Sequence, residues 1–179
     1  VQKKDIRKSE IIEHPSYVSE LARYIMTDLK EFRKIQGDDT LGGMVICETS
    51  EQARRLYDVF QEEWQKYQPK PIKIKLSDGS YVVGEPEVDY KSKYRPLKAG
   101  IILHDTDDKE TRKQIVKDFK KNMTVDILIV FNMLLTGFDA PRLKRLYFGR
   151  KLKDHNLLQA ITRVNRPYPG MRYGFVIDF

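Results

Sequence analysis

The chain has one cysteine, Cys47, in 179 residues. That excludes an intrachain disulfide and a zinc site built from several thiolates, and it suits a reducing cytoplasm. Long hydrophobic runs are absent. The longest, Ile127 to Phe131, falls far short of the ~20 residues a membrane span needs. No N-terminal stretch has the form of a secretory signal. Neither a membrane partner nor export is expected. His14, His104 and His155 are scattered without metal-ligand spacing, so no resident metal is expected. No serine stands in the G-x-S-x-G context of a hydrolase nucleophile. A phosphate loop, G-x-x-x-x-G-K-[ST], is missing too. Gly37 and Gly42 have the glycine spacing, but Gly43 stands where the lysine belongs; Gly79 and Gly84 are followed by Glu85. Repeats and low-complexity tracts are also absent.

What remains is globular. Hydrophobic residues make up 40% and charged residues 33%, a balance that excludes wholesale disorder. The length allows one domain, or one domain with a small appendage. The chain starts at Val1 and stops in the apolar run Phe175 to Phe179, so it is expected to be a piece of a longer protein.

The charge is uneven. Lys and Arg number 33 against 26 Asp and Glu. Between Arg142 and Arg172 there are nine basic residues and one acid, Asp154; the rest of the chain holds 24 basic and 25 acidic. Such a basic stretch fits a polyanion, either nucleic acid or nucleotide phosphates. It also fits a solvated basic surface, and charge alone does not separate the two.

Hydrophobic periodicity alternates between helix and strand. Tyr17, Leu21, Tyr24, Ile25, Leu29 and Phe32 predict a helix over 16–36, ended by Gly37. A second helix over 50–67 carries Leu56, Phe60 and Trp64 on one face and stops before Pro69 and Pro71. Further helices are predicted over 109–121 and 154–166, the last stopped by Pro167. Apolar strands are predicted at 44–47, 101–103, 126–131, 144–148 and 173–177. Buried strands separated by amphipathic helices imply an α/β fold, a parallel sheet with helices on both faces. Residues 69–98 break the rhythm, and the turn Ser77-Asp78-Gly79-Ser80 between alternating stretches predicts a β-hairpin or a partly ordered insertion.

Two patterns imitate metal chemistry. Asp78 with Asp89-Tyr90-Lys91 has the loose acid, acid-x-Lys form of metal-dependent nucleases. Short patterns of this kind arise by chance in a Lys-rich chain, and glycine turns interrupt the stretch, so a surface insertion is the favoured reading. His104-Asp105 follows a strand as an Mg²⁺-holding acid would. An aspartate ahead of Lys109 more simply caps the next helix.

Two segments carry sharper chemistry. In the first, the strand 126–131 runs into a loop with Thr136, Gly137 and Asp139. Ligands of parallel sheets bind beyond the carboxyl ends of strands. Gly137 allows close backbone approach, and Asp139 can accept hydrogen bonds from sugar hydroxyls. A plain tight turn is the alternative. In the second, Leu157, Leu158, Ile161 and Val164 are expected to bury one helical face. Gln159, Arg163 and Arg166, at i, i+4 and i+7, form a polar stripe on another. Two guanidiniums beside a glutamine suit a phosphate chain. A solvated helix face is the alternative.

Together these segments resemble the second RecA-like lobe of superfamily-two helicases and translocases. Gly43-Met44-Val45-Ile46-Cys47-Glu48-Thr49-Ser50 resembles motif IV, and Leu135-Thr136-Gly137-Phe138-Asp139-Ala140-Pro141 resembles motif V. Gln159-Ala160-Ile161-Thr162-Arg163-Val164-Asn165-Arg166 resembles motif VI, although Thr162 stands where many helicases have glycine. The wording of motifs V and VI is similar to the motor (R) subunit of type I restriction enzymes. The resemblance covers about 40–179, with 1–39 as a helical lead-in and no generic counterpart for the insertion at 69–98.

That resemblance implies half of an ATP site. Arg163 and Arg166 would face the γ-phosphate as catalytic arginines. Gly137 and Asp139 would face the ribose, with Gln159 in the nucleotide site. Thr49, Ser50 and Thr136 would contact the DNA backbone. ATP and Mg²⁺ would be held mainly by a first RecA-like lobe elsewhere in the same polypeptide, so this chain alone is expected to be inactive. Further implied partners are double-stranded DNA, a nuclease domain in the same polypeptide, and methylation and specificity subunits. Another superfamily-two DNA or RNA helicase is the main alternative. A metal-dependent nuclease and a passive nucleic-acid-binding module are more distant ones.

Overall fold

A computed structural model describes residues 7–67, 72–76, 79–84, 95–103, 108–131, 138–150 and 154–179. In chain order the elements are α1 (Lys8–Ile12), α2 (Pro15–Gln36), β1 (Gly42–Ile46), α3 (Ser50–Lys66), β2 (Ile72–Lys75) and β3 (Tyr81–Gly84). They continue with β4 (Ala99–Ile102), α4 (Lys109–Lys117), a π-helical turn (Asp118–Asn122), β5 (Ile127–Val130), β6 (Leu143–Phe148), α5 (Asp154–Val164) and β7 (Phe175–Asp178).

Five strands form one sheet in the order β4-β5-β1-β6-β7, and every neighbouring pair is parallel. β1 and β5 are buried along their whole length. That burial explains why they read as continuous apolar runs rather than alternating ones. Helices cover both faces. On one, α2 and α3 bring Leu21, Ile25, Leu29, Leu56 and Phe60 against Val45, Ile127 and Tyr147. On the other, Phe119, Phe138, Ala160 and Val164 pack on Met44, Leu128 and Leu146. The helical lead-in is therefore joined to the sheet through a shared core.

Local chemistry sets the boundaries. α2 ends at Gly37 in the left-handed conformation (φ 67°), where a residue without Cβ is favoured. Asp108 caps α4, accepting from the Thr111 backbone N–H at 2.7 Å, as the aspartate run predicted. Gly42 lets the Phe119 ring close over β1, since a Cβ there would lie 2.5 Å from the ring. Within the insertion, β2 and β3 pair antiparallel with Ile72 opposite Gly84, and Gly79 has φ 86°. Asp78, Asp89, Lys91 and Asp105 lie outside the described residues, and so do the two metal-like patterns that depend on them. Among the described residues no helix is long and apolar enough to cross a membrane.

α5 departs from the sequence reading in two ways. The helix expected through 166 ends at Val164, because a residue before proline is pushed out of the helical region and Pro167 follows Arg166. Leu158, expected in the core, is 64% exposed, while Ala160 is fully buried. Leu157, Ala160, Ile161 and Val164 share one side of a 3.6-residue helix, and Leu158 sits about 100° round from it.

Candidate functional site

α5 lies against β6 and carries the glutamine–arginine stripe toward the segment that follows β5. Phe138 anchors that segment. Its buried ring packs 6.1 Å from Phe119, and its carbonyl accepts a 2.9 Å hydrogen bond from Arg163 Nη1. One residue on, Asp139 Oδ1 lies 3.5 Å from Arg166 Nε, with the two side chains 60% and 46% exposed. The motif V and motif VI segments thus meet through two guanidiniums: one turned to a backbone carbonyl, the other to an accessible carboxylate. Gln159, one turn back from Arg163, is partly buried. Thr136 and Gly137 lie outside the described residues.

The arrangement suits an anionic ligand approaching from outside the chain. Arg166 offers a planar fork beside a half-exposed aspartate, a pairing that solvent screens and a phosphate can replace. The same residues do not fit a divalent cation. Among the described residues no three His, Cys, Asp or Glu side chains converge on one point.

Thr49 and Ser50 sit at the carboxyl end of β1, where α3 begins. Thr49 caps α3, its Oγ1 accepting from the Gln52 N–H at 3.0 Å and donating to Glu13 Oε1 at 2.7 Å. Its hydroxyl is therefore engaged within the chain, and Ser50 forms the first turn.

The basic stretch divides once it is folded. Arg142 is buried; its Nη1 donates to the carbonyls of Phe119 (2.6 Å) and Val125 (3.0 Å), and its ring contact with Phe119 is 4.7 Å. Burial, with Arg33 nearby, lowers its pKa to about 10. Lys144 is buried and donates to the carbonyls of Val164 (3.5 Å) and Arg166; burial lowers its pKa. Arg145 donates to Asp28 Oδ1 at 2.9 Å and lies over the Phe32 ring at 4.3 Å. These three charges hold the fold together and do not face a polyanion.

Sequence reasoning missed the acid at the centre of this framework. Asp126 is buried and accepts from Arg33 Nη2 (2.9 Å), Arg95 Nη2 (2.9 Å) and the Lys98 N–H (2.8 Å). It ties α2, the start of β4 and the start of β5 into one corner. The available signal was an acid standing directly before a wholly apolar strand.

The fold is that of the second RecA-like lobe of superfamily-two helicases. The chain superposes on domain 2 of Mss116p, a DEAD-box helicase solved bound to an RNA duplex, with a TM-score of 0.57 at 15% identity, covering 94% of this chain and 50% of that one. It superposes likewise on Dbp5 of S. cerevisiae, solved bound to RNA and ADP BeF3, with a TM-score of 0.54 at 16% identity over 92% of this chain and 32% of that one.

Within that class, the chain belongs to the type I restriction enzyme subunit R family, whose domain 3 matches residues 87–179. Two putative type I restriction enzyme endonuclease subunits of Methanocaldococcus jannaschii are similar. MjaVIIP is 50% identical over 72 residues, 40% of this chain and 7% of that protein. MjaVIIIP is 30% identical over 183 residues, 97% of this chain and 16% of that protein. The chain therefore spans only a small part of the relatives' length.

Proposed function

We propose that this lobe supplies the second half of an ATPase site in a type I restriction subunit that moves along double-stranded DNA and cleaves it. The observation that carries the reading is the meeting of the two motif segments, Arg163 on the Phe138 carbonyl and Arg166 beside Asp139. Both guanidiniums leave one end of α5 on a side the core does not use.

In phosphoryl transfer, negative charge spreads over the transferring group and the leaving oxygen. Arg166 and Arg163 would turn from Asp139 and the Phe138 carbonyl toward that charge. Asp139, released, would accept from the ribose hydroxyls, with Gly137 allowing close backbone approach and Gln159 alongside. A first RecA-like lobe in the same polypeptide would hold the triphosphate and Mg²⁺, the metal neutralising phosphate charge. Ser50 and Thr136 would contact the DNA backbone, and Thr49 would do so on exchanging Glu13 for a phosphate oxygen. A nuclease domain in the same polypeptide, with methylation and specificity subunits, would complete a cytoplasmic assembly. The names of the Methanocaldococcus relatives favour this over another helicase family.

The test is reconstitution. The 179-residue chain alone should hydrolyse no ATP, and the full subunit should do so when DNA is added. DNA- and metal-dependent turnover by the chain alone would contradict the half-site reading.

A further inference from the structure

We propose that Lys144 is a positioning residue for Arg166, holding the turn after α5 so that the Arg166 guanidinium emerges at a fixed place. The inference rests on the ATPase reading above. Lys144 stands on β6, fully buried, and among the described residues no carboxylate pairs with it. Its Nζ donates to the Val164 carbonyl at 3.5 Å and to the Arg166 carbonyl. The last carbonyls of a helix have no partner inside it, and a cation there also complements the negative end of the helix dipole. Lys144 thus grips the backbone of Arg166 itself, just past the point where the helix stops.

A second contact closes on the same turn. A Cβ on Gly174 would lie 2.4 Å from Val164 Cβ and 2.6 Å from the Val164 oxygen. The Gly174 N–H also donates to Asn165 Oδ1 at 3.4 Å. The approach to β7 therefore presses on the turn that Lys144 holds. Burying a lysine without an acid is costly, and a methionine would fill similar space without that cost. What methionine cannot do is donate to the two carbonyls. Arginine fingers act only when their placement is right, since a misplacement of about 1 Å can cost on the order of 100-fold in rate.

The experiment is a double-mutant cycle on the full subunit with DNA and ATP, using Lys144→Met, Arg166→Ala and both together, with a thermal melt of each. Lys144→Met should lower kcat by about 10- to 100-fold while KM for ATP moves by less than about threefold, because only transition-state contacts are disturbed. The double variant should be no slower than Arg166→Ala alone, because Lys144 acts through that residue. Lys144→Gln, whose amide NH2 can still donate, should recover part of the rate. If Lys144→Met melts below the assay temperature, Lys144→Gln is taken through the same cycle. Normal kcat in a folded Lys144 variant, or losses that multiply in the double variant, would overturn the inference. Normal turnover in Arg166→Ala would instead defeat the ATPase reading itself, a result read from that variant alone.

Discussion

Arg166 Nε stands 3.5 Å from Oδ1 of Asp139, with both side chains about half exposed. This pair joins the segment after β5 to the end of α5 across open solvent. Exposed pairs of this kind contribute about 0–1 kcal/mol, so stability is a poor reason for it. Asp139→Ala should leave the denaturant midpoint nearly unchanged. In the full subunit it should weaken nucleotide binding by about tenfold, the worth of one lost hydrogen bond at ~1.4 kcal/mol. A nucleotide titration beside a denaturation curve reads both. A large stability loss with unchanged affinity would make Asp139 a structural residue.

The pair formed by Arg33 and Asp126 is its opposite. Both side chains are under 10% exposed, and they meet at 2.9 Å. Removing Arg33 leaves the buried carboxylate with only the solvent-exposed Arg95 and the Lys98 N–H, a loss at the lower end of the about 3–5 kcal/mol that breaking a buried pair costs. Arg33→Ala should lower unfolding free energy by that amount. Arg95→Ala, at the 58% exposed partner of the same carboxylate, should cost well under half as much.

Cys47 is fully buried on the strand side of the core, and burial raises its thiol from 9.0 to about 12. The native protein should therefore resist thiol reagents at pH 8, labelling only at the rate of unfolding. The sign for stability follows from a folded pKa above the unfolded one. The contribution is complete below pH 9 and is lost as pH rises through about 12. Cys47→Ala should flatten that alkaline decline. Rapid labelling in native buffer would contradict the burial.

DNA binding by this lobe should be weaker in salt dependence than its charge suggests. Of the nine basic residues between 142 and 172, Arg142 and Lys144 are buried and Arg145 is paired with Asp28. At most six can meet phosphates, so log K against log salt should slope less steeply than about −5. Titrating a labelled duplex across salt concentrations measures it. Strong sequence preference, or a slope near −8, would contradict this division of the charges.

The sheet was legible because parallel strands bury both faces and so write themselves as apolar runs such as Ile127 to Phe131. Caps were legible for the same local reason, as Asp108 shows at α4. Long-range polar pairing was not. Arg33 and Asp126 are 93 positions apart, and nothing near either names the other. Lys144 and Arg142 read as members of a surface patch, because composition counts charge without depth. Arg166 was placed on the helix by its spacing from Gln159, but the proline after it ended the helix two residues sooner. Arg163, Arg166 and Asp139 were identified by motif, and their meeting depends on how β5, β6 and α5 pack.

The most direct measurement is steady-state ATP hydrolysis by the full subunit with DNA, comparing Arg166→Ala, Arg163→Ala and Arg166→Lys with the parent. An arginine finger contributes about 10³–10⁵ in rate, so each alanine variant should retain no more than about a thousandth of the parent's turnover while melting at nearly the same temperature. Lysine at 166 should recover little, because a point charge cannot reproduce the planar fork. DNA translocation and cleavage should fail together with hydrolysis. Turnover above about a tenth of the parent's in a folded Arg166→Ala subunit would contradict the assignment, since no arginine-finger loss is that small.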